Sequence, residues 1–228
     1  MYQFKYQTTN PYDFYPPEEL IFTCIVPDNW LSKDLPTVGV CVNYTAKREQ
    51  LVSCGSVVFE FSDVTSTDET ARTIRLDILQ DGVKCFQKPI EIHCPKVAPS
   101  ELGDECCIEV LLLNHLFGCN AISAWVAVDF ADFIGIMEKS STYYFQYGIG
   151  KTPSDILPDI LEPAANRDVK CEFVMMFCDN QKMRLEYLRE IMDAMSSSST
   201  DESIDSLGLV CAVGVEQDEM LISVLVGC

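Results

Sequence analysis

The sequence predicts an α+β chain with two parts. A mostly β module occupies residues 1–98, and residues 99–228 form a second domain that combines a four-stranded mixed sheet with two to three helices. Strand-like alternation in the first part, helical spacing of apolar residues in the second, and a change of charge between them support this prediction. With 228 residues, 48% of them hydrophobic, the chain is long enough to bury a substantial core.

The charge distribution separates the two parts and excludes one class of partner. Residues 1–100 carry 13 acids and 9 bases, a net charge of −4, and residues 101–228 carry 22 acids and 7 bases, a net charge of −15. The formal total of −19 argues against nucleic acid as a partner, because phosphate contacts require basic residues.

The first module is predicted from short β-type segments. Residues 73–79 alternate between apolar and charged side chains, which is typical of a strand with one buried face. Further strands are predicted at 20–26, 37–44, 56–61, 83–86 and 90–93. Asp81 and Gly82 predict a tight turn between two of them. The module contains no nucleophile-base pair and no phosphate-binding loop.

The second domain is predicted to begin with an apolar helix at 105–124 and a short helix that ends near Lys139. Strands follow at 143–149 and 171–178. Between them Thr152 and Pro153 open a helix, as N-cap and first helical residue, which Pro158 interrupts. The apolar segments 207–215 and 220–227 are interpreted as a hairpin at the centre of the sheet.

The helix predicted at 181–195 carries apolar residues three and four positions apart. This spacing predicts one buried stripe, with Arg184 and Glu190 facing outwards. The stripe consists of Leu185, Leu188, Met192 and Met195.

The cysteines and histidines do not predict a metal or cofactor site. Twelve cysteines are present, but there is no Cys-x-x-Cys pair, so we interpret them as reduced thiols, many of them buried. The nearest approach to a ligand cluster is Cys85 with His93 and Cys94, which is a weak signal. We expect neither a metal ion nor a cofactor.

The N-terminus and the apolar segments indicate a cytoplasmic protein. The first residues lack the basic region and apolar core of a signal peptide. No apolar segment reaches the roughly eighteen residues that a membrane span requires.

The stretch 128–133 contains the most informative polar residues. Asp129 and Asp132 lie three positions apart among apolar neighbours, so at the start of a helix they share one side. One interpretation is structural: Asp129 caps the helix and Asp132 favours its first turn. The other is a functional acidic pair.

The same stretch resembles a known family. Val128, Asp129, Phe130, Ala131 and Asp132, a short helix with Met137, and a strand ending at 148–150 resemble the tubulin/FtsZ family, in which this loop reads Asn-x-Asp-x-x-Asp before a helix. The two apolar segments at 208–215 and 221–227 are similar to the last strands of the FtsZ C-terminal domain. The resemblance covers residues 125–228 and implies that this part has the fold of that C-terminal domain.

In that family the acidic loop contacts the nucleotide of the next subunit in a filament. The resemblance therefore implies that Asp129, Asp132 and Phe130 form a partner-binding loop. Ala127 stands where the family has asparagine. The family's glycine-rich GTP loop is also missing, because none of the 11 glycines is adjacent to another.

These features predict a non-catalytic protein, without a GTPase domain, that binds a filament or regulates its assembly. The expected partner is an FtsZ- or tubulin-like GTPase, or another copy of this chain. One alternative is a structural protein that assembles without nucleotide. A second is an enzyme that uses Asp129 and Asp132, although general acid and base usually flank a substrate instead of sharing one side.

Overall fold

Strands from both predicted parts hydrogen-bond into one sheet. The computed structural model describes residues 5–6, 22–33, 35, 42–47, 57–64, 71–95, 107–121, 130–162, 167–178, 184–198, 206–213 and 219–228. Of residues 5–6, 118–121, 195–198 and 206–213 only the backbone is described.

The described strands and helices follow one another along the chain. The strands are β1 (Lys5–Tyr6), β2 (Phe22–Ile25), β3 (Val42–Thr45), β4 (Val57–Val64), β5 (Ala71–Gln80), β6 (Val83–Lys84), β7 (Ile90–Pro95), β8 (Thr142–Gly150), β9 (Cys171–Cys178), β10 (Ser206–Val213) and β11 (Met220–Gly227). The helices are α1 (Ile108–Ala121), α2 (Phe130–Met137), α3 (Pro153–Leu161) and α4 (Leu185–Ser198).

The sheet is larger than predicted. Its strand order is β1-β10-β9-β11-β8-β7-β5-β4-β2-β3, with β6 beside β5. The four predicted strands of the second domain are present, but the prediction of a separate four-stranded sheet is wrong. Strand β7 pairs in parallel with β8, His93 opposite Tyr144, and satisfies backbone groups that an isolated sheet would leave at its edge. The division at residue 98 stays a prediction.

The predicted C-terminal hairpin is also wrong. Strand β9 lies between β10 and β11, parallel to the first and antiparallel to the second. Parallel neighbours need a long crossover, which α4 supplies between β9 and β10. Strands β10 and β11, although consecutive in the chain and separated by a short acidic segment, are therefore not adjacent in the sheet.

Helices cover the sheet on both faces at one end. One core packs α1 and α2 against alternate residues of the strands, including Phe173 and Phe177 of β9. The second core packs α3 and α4 against the opposite face, where β9 presents Val174 and Met176. Strands β9 and β11 are consequently buried along their whole length.

Helix α3 begins as the sequence predicts. Thr152 is its N-cap and Pro153 its first residue, and the Thr152 backbone N–H donates to Asp155 Oδ2 at 3.0 Å. Pro158 lies within the helix, which continues to Leu161. The predicted interruption at Pro158 is therefore wrong.

Helix α4 faces the core with different residues from those predicted. Ile191 is fully buried, and Tyr187, Leu188 and Ala194 pack around it. Leu185 is 71% exposed and Met192 is 45% exposed, while the side chain of Met195 lies outside the described residues. The helix is therefore rotated so that only part of the predicted stripe is buried.

Candidate protein-interaction surface

Helix α2, which follows the acidic stretch, is fixed in an aromatic cluster on one side. Phe133 is fully buried, and its ring centroid lies 6.1 Å from that of Phe59 and 6.2 Å from that of Phe130. The ring of Phe130 also lies 5.8 Å from Phe22. Aromatic rings at these separations attract one another beyond the effect of burial.

The C-terminal end of α2 is tied to the sheet. Tyr143 of β8 donates its hydroxyl hydrogen to the carbonyl of Ile136 at 2.7 Å. The backbone N–H of Glu138 donates to the Ile134 carbonyl at 2.9 Å and closes the last turn. Both ends of the helix are therefore held by the body of the protein.

The opposite side of α2 is exposed. Ala131, Asp132, Gly135 and Glu138 lie on this side, and we call them the α2 surface. Their positions at i, i+1, i+4 and i+7 follow the helical repeat. Two small residues and two carboxylates thus form a narrow surface, with the exposed Lys139 next to Glu138 at its C-terminal end.

The structure describes two of the three predicted partner-binding residues. Asp132 lies on the α2 surface, in the first turn of the helix. Phe130 is half-buried and its ring packs in the aromatic cluster, so it supports the helix. Asp129 lies outside the described residues, and its pairing with Asp132 stays a prediction.

A cavity of about 290 Å³ adjoins the C-terminal end of the α2 surface. Glu138 belongs to both the surface and the cavity wall, which also includes Met137, Phe86 and Lys88. Glu138 is not among the residues predicted from the sequence. The helical spacing from Ala131 is the signal that could have found it.

A buried carboxylate links α1 to the strands of the first part. Glu109 pairs with both Lys33 and Arg72, and Arg72 also donates from Nε to Asp63 Oδ1 at 2.9 Å. Burial alone would raise the pKa of Glu109, but the hydrogen bonds from Lys33 and Arg72 outweigh it and lower the pKa to about 2. Glu109 is therefore ionised at neutral pH.

A histidine–serine pair links α1 to the strands of the second part. His115 Nδ1 and Ser223 Oγ are 2.7 Å apart, and the imidazole packs edge-on against Phe145 and Phe173. Burial lowers the pKa of His115 to about 3, so the ring is neutral near pH 7. Both residues are at most 1% exposed, so this pair is inaccessible to a substrate in this conformation.

Cys85, His93 and Cys94, the weak candidate ligand cluster of the sequence, do not come together. His93 stacks on Tyr144 and its Nδ1 lies 3.0 Å from Thr73 Oγ1, whereas Cys94 points into the core on the other face of the sheet. Within the described ranges no group of three or more His, Cys, Asp or Glu is placed to hold a metal ion. The cysteines whose side chains the structure describes, which include buried Cys24, Cys171 and Cys178, are free thiols.

Among the described helices none is long and apolar enough to cross a membrane. The sequence matches no known family profile. It is also not significantly similar to any curated protein.

Several solved structures are similar to part of the chain. A point mutant of FtsZ from M. jannaschii has a TM-score of 0.44 and 14% identity, over 57% of this chain and 43% of that one. An empty FtsZ dimer from M. jannaschii gives 0.41 and 17%, over 56% and 42%. CetZ from Methanosaeta thermophila gives 0.34 and 12%, over 52% and 36%. The chain thus spans less than half the length of these proteins.

Proposed function

We propose that this chain is a non-catalytic protein-interaction module whose contact region is the α2 surface together with the acidic residue before it. The observation that carries this proposal is the asymmetry of α2. One side is locked in the aromatic cluster, while Asp132 and Glu138 are exposed on the other. A surface already held in place loses little conformational entropy on binding.

The chemistry of the surface indicates its partner. Carboxylates at a fixed position favour a basic surface, or one that carries a metal-bound nucleotide. The family resemblance suggests the exposed end of an FtsZ- or tubulin-like filament in the cytoplasm. Binding there would block or modulate addition of the next subunit, and the protein would need no GTP site of its own.

Two alternatives make different predictions. A structural protein that assembles without nucleotide would associate with itself, and the exposed apolar residues of α4 favour this candidate. An enzyme using Asp129 and Asp132 would turn over a substrate. GTP hydrolysis, or GTP binding at micromolar concentration in calorimetry, would contradict the non-catalytic proposal.

The proposal is tested by sedimentation with FtsZ filaments assembled in GTP. The double variant Asp129→Asn/Asp132→Asn should reduce co-sedimentation several-fold at low salt, and the difference should shrink as salt screens the charges. Asparagine keeps the capping oxygen, so the loss of stability should not exceed about 1 kcal/mol.

A control for the loss of a surface acid is Asp159→Asn, which removes one exposed acid from α3 instead of α2. This variant should co-sediment like the unchanged protein. Equal binding by the double variant and the unchanged protein at low salt would show that the α2 surface does not bind the filament.

A further inference from the structure

The cavity beside α2 has two opposite charges on its wall that do not neutralise each other. It has a volume of about 290 Å³ and lies between the segment that joins β6 to β7, which contributes Lys88, and the end of α2, where Glu138 lies. Within the described ranges, neither of these side chains forms an ion pair. Both charges can therefore be paired by a ligand.

The buried part of the wall is mostly apolar. Ile90 and Met137 are buried, and Phe86 is half-buried. Burial, together with the nearby Glu138 carboxylate, raises the pKa of the half-buried Cys85 thiol, so this group is also uncharged at pH 7. The effect of Glu138 on Cys85 shows that the carboxylate lies close to the apolar wall.

Hydrogen bonds hold the two sides of the cavity together. The backbone N–H of Glu91 in β7 donates to the Ser141 carbonyl at 2.8 Å. Ser140 Oγ accepts from the Thr142 N–H at 3.0 Å, and its hydroxyl donates to the Cys228 carbonyl. The walls are thus fixed before a ligand binds, which lowers the entropy cost of binding.

The wall defines a class of ligand. A ligand with a single charge would face a wall group of the same sign, whereas a zwitterion can pair with both Lys88 and Glu138. The apolar wall favours a ligand that also carries an apolar group. A sphere of this volume is about 8 Å across, and typical ligand sites begin at about 300 Å³, so the ligand is small. An α-amino acid with an apolar side chain combines all of these properties.

We propose that this cavity binds a free α-amino acid with an apolar side chain. The carboxylate of the ligand accepts hydrogen bonds from the Lys88 ammonium, and the ammonium of the ligand donates to the Glu138 carboxylate. The C-terminal end of α2 adds partial negative charge on the side of the ligand ammonium. The apolar side chain packs against Phe86, Ile90 and Met137. This ligand site goes beyond the function proposed above and does not depend on filament binding.

A ligand-detected NMR titration with leucine tests the site. The unchanged protein should bind leucine with a dissociation constant of about 1 mM or less. Glycine, which has the same two charges but no apolar side chain, should bind at least about tenfold more weakly. Equal affinities for leucine and glycine would show that the apolar wall does not contact the ligand.

Two analogues of leucine test each charge separately. The amine 3-methylbutylamine lacks the carboxylate, and the acid 4-methylpentanoate lacks the ammonium. Lys88→Gln should weaken binding of leucine and of the acid by about three- to tenfold and should not weaken binding of the amine. Glu138→Gln should weaken binding of leucine and of the amine to a similar extent and should not weaken binding of the acid.

Two variants control for the loss of a surface charge. Lys139→Gln removes an exposed cation next to Glu138 in the sequence but outside the cavity wall, and Asp159→Asn removes an exposed acid from α3. Both should bind leucine like the unchanged protein. Melting temperatures close to that of the unchanged protein would show that all of the variants are folded.

Three results would overturn the proposal. One is the absence of leucine binding by the folded, unchanged protein at about ten times the expected dissociation constant. Another is a loss of leucine binding in Lys139→Gln as large as that in Lys88→Gln. The third is an equal effect of Lys88→Gln on the acid and the amine, which would show that Lys88 does not pair with the carboxylate.

Discussion

Strands β7 and β11 belong to one sheet but are buried in different ways. In β7, Ile90, Ile92 and Cys94 are buried while Glu91 and His93 are half-exposed. All eight residues of β11 are buried. Among the described residues, β7 contributes to a core through the face toward α1 and α2 alone, whereas β11 contributes through both faces.

The difference shows what determines a strand's composition in this protein. A strand with one covered face needs an apolar residue at every second position, and polar residues can occupy the rest. A strand between two helical layers needs apolar residues throughout. The composition of each strand thus depends on how many helical layers cover it. That number is set by helices that are distant in the sequence.

Helix α1 contacts both regions through one buried polar residue each. Glu109, near its start, is ionised and pairs with Lys33 and Arg72 beside the first strands. His115, two turns later, is neutral and hydrogen-bonds to Ser223 of β11. The ionised Glu109 therefore has cationic partners, and the neutral His115 has a neutral hydroxyl as its partner.

The largest effect that we predict is a loss of stability in variants of α4, one of the helices that cover the strands buried on both faces. Ile191→Asp places a carboxylate in the second core and should destabilise the protein by about 4 kcal/mol or more. Leu188→Asp, at a half-buried position, should cost about half as much. Leu185→Asp, on the exposed side, should change stability by about 0.5 kcal/mol at most.

Urea unfolding of the three variants, at concentrations where the chain is monomeric, measures this order. The series is its own control because all three changes introduce the same side chain into one helix. A larger loss for Leu185→Asp than for Ile191→Asp would mean that α4 is rotated relative to the orientation described above.

The sequence predicted the positions of strands and turns better than it predicted which strands pair with each other. The strands at 143–149 and 171–178 and the turn at Asp81 and Gly82, both with positive φ, agree closely with the structure. The order β10-β9-β11 could not be predicted, because all three segments are apolar and any pairing among them would bury them. Only the packing of the whole sheet distinguishes these pairings.

The same limit applies to side chains. Leu185, Leu188 and Ile191 are all apolar, so spacing alone defines a broad stripe and leaves the rotation of α4 open. Glu109 lies in an apolar segment, and its partners are 76 and 37 residues away in the sequence. No local sequence pattern therefore predicts the ion pairs. For the α2 surface, spacing placed Asp132 on the helix, but the aromatic support from Phe22 and Phe59 was not foreseeable.

A second prediction concerns the charged contact between α1 and the first strands. Glu109→Gln removes the acid and leaves Lys33 and Arg72 close together, which should cost about 2 kcal/mol. The loss is smaller than for a fully buried pair because Arg72 and Lys33 are partly exposed and Asp63 still binds Arg72. Asp63→Asn, on the exposed side, should cost at most about 1 kcal/mol. Chemical unfolding at pH 7 compares the two, and equal losses would show that Glu109 is not the central partner.

The pH dependence of unfolding distinguishes the two polar residues of α1. The pKa of Glu109 falls from an ordinary 4.5 to about 2, so its stabilisation is complete above pH 4.5 and is lost towards pH 2. The pKa of His115 falls from 6.5 to about 3, so protons bind preferentially to the unfolded chain between these values, and stability falls as pH drops through that range.

Variants at the two positions should therefore flatten different parts of the stability curve. Glu109→Gln should act between pH 4.5 and 2, and His115→Gln between pH 6.5 and 3. Ser223→Ala is the control, because it removes the hydrogen bond but keeps the buried imidazole, so the slope above pH 4.5 should remain. Identical slopes for His115→Gln and the unchanged protein would contradict the buried neutral histidine.

The last effects that we predict come from adding one methyl group in each kind of environment. At Gly227 of β11 an added Cβ would lie 2.9 Å from Tyr143 Cε1 and 3.1 Å from Ser140 Cβ, and would also collide with the thiol of Cys171. Gly227→Ala should therefore cost about 1–3 kcal/mol by overpacking.

At Gly135, on the exposed side of α2, no atom lies within 4 Å of the added carbon. Gly135→Ala should stabilise the protein by about 0.5–1 kcal/mol, because alanine favours the helix and restricts the unfolded chain. Opposite shifts of the melting temperature would support the contrast between a strand covered on both faces and a helix with one open side, and a loss of stability in Gly135→Ala would show that the α2 surface is covered in the folded chain.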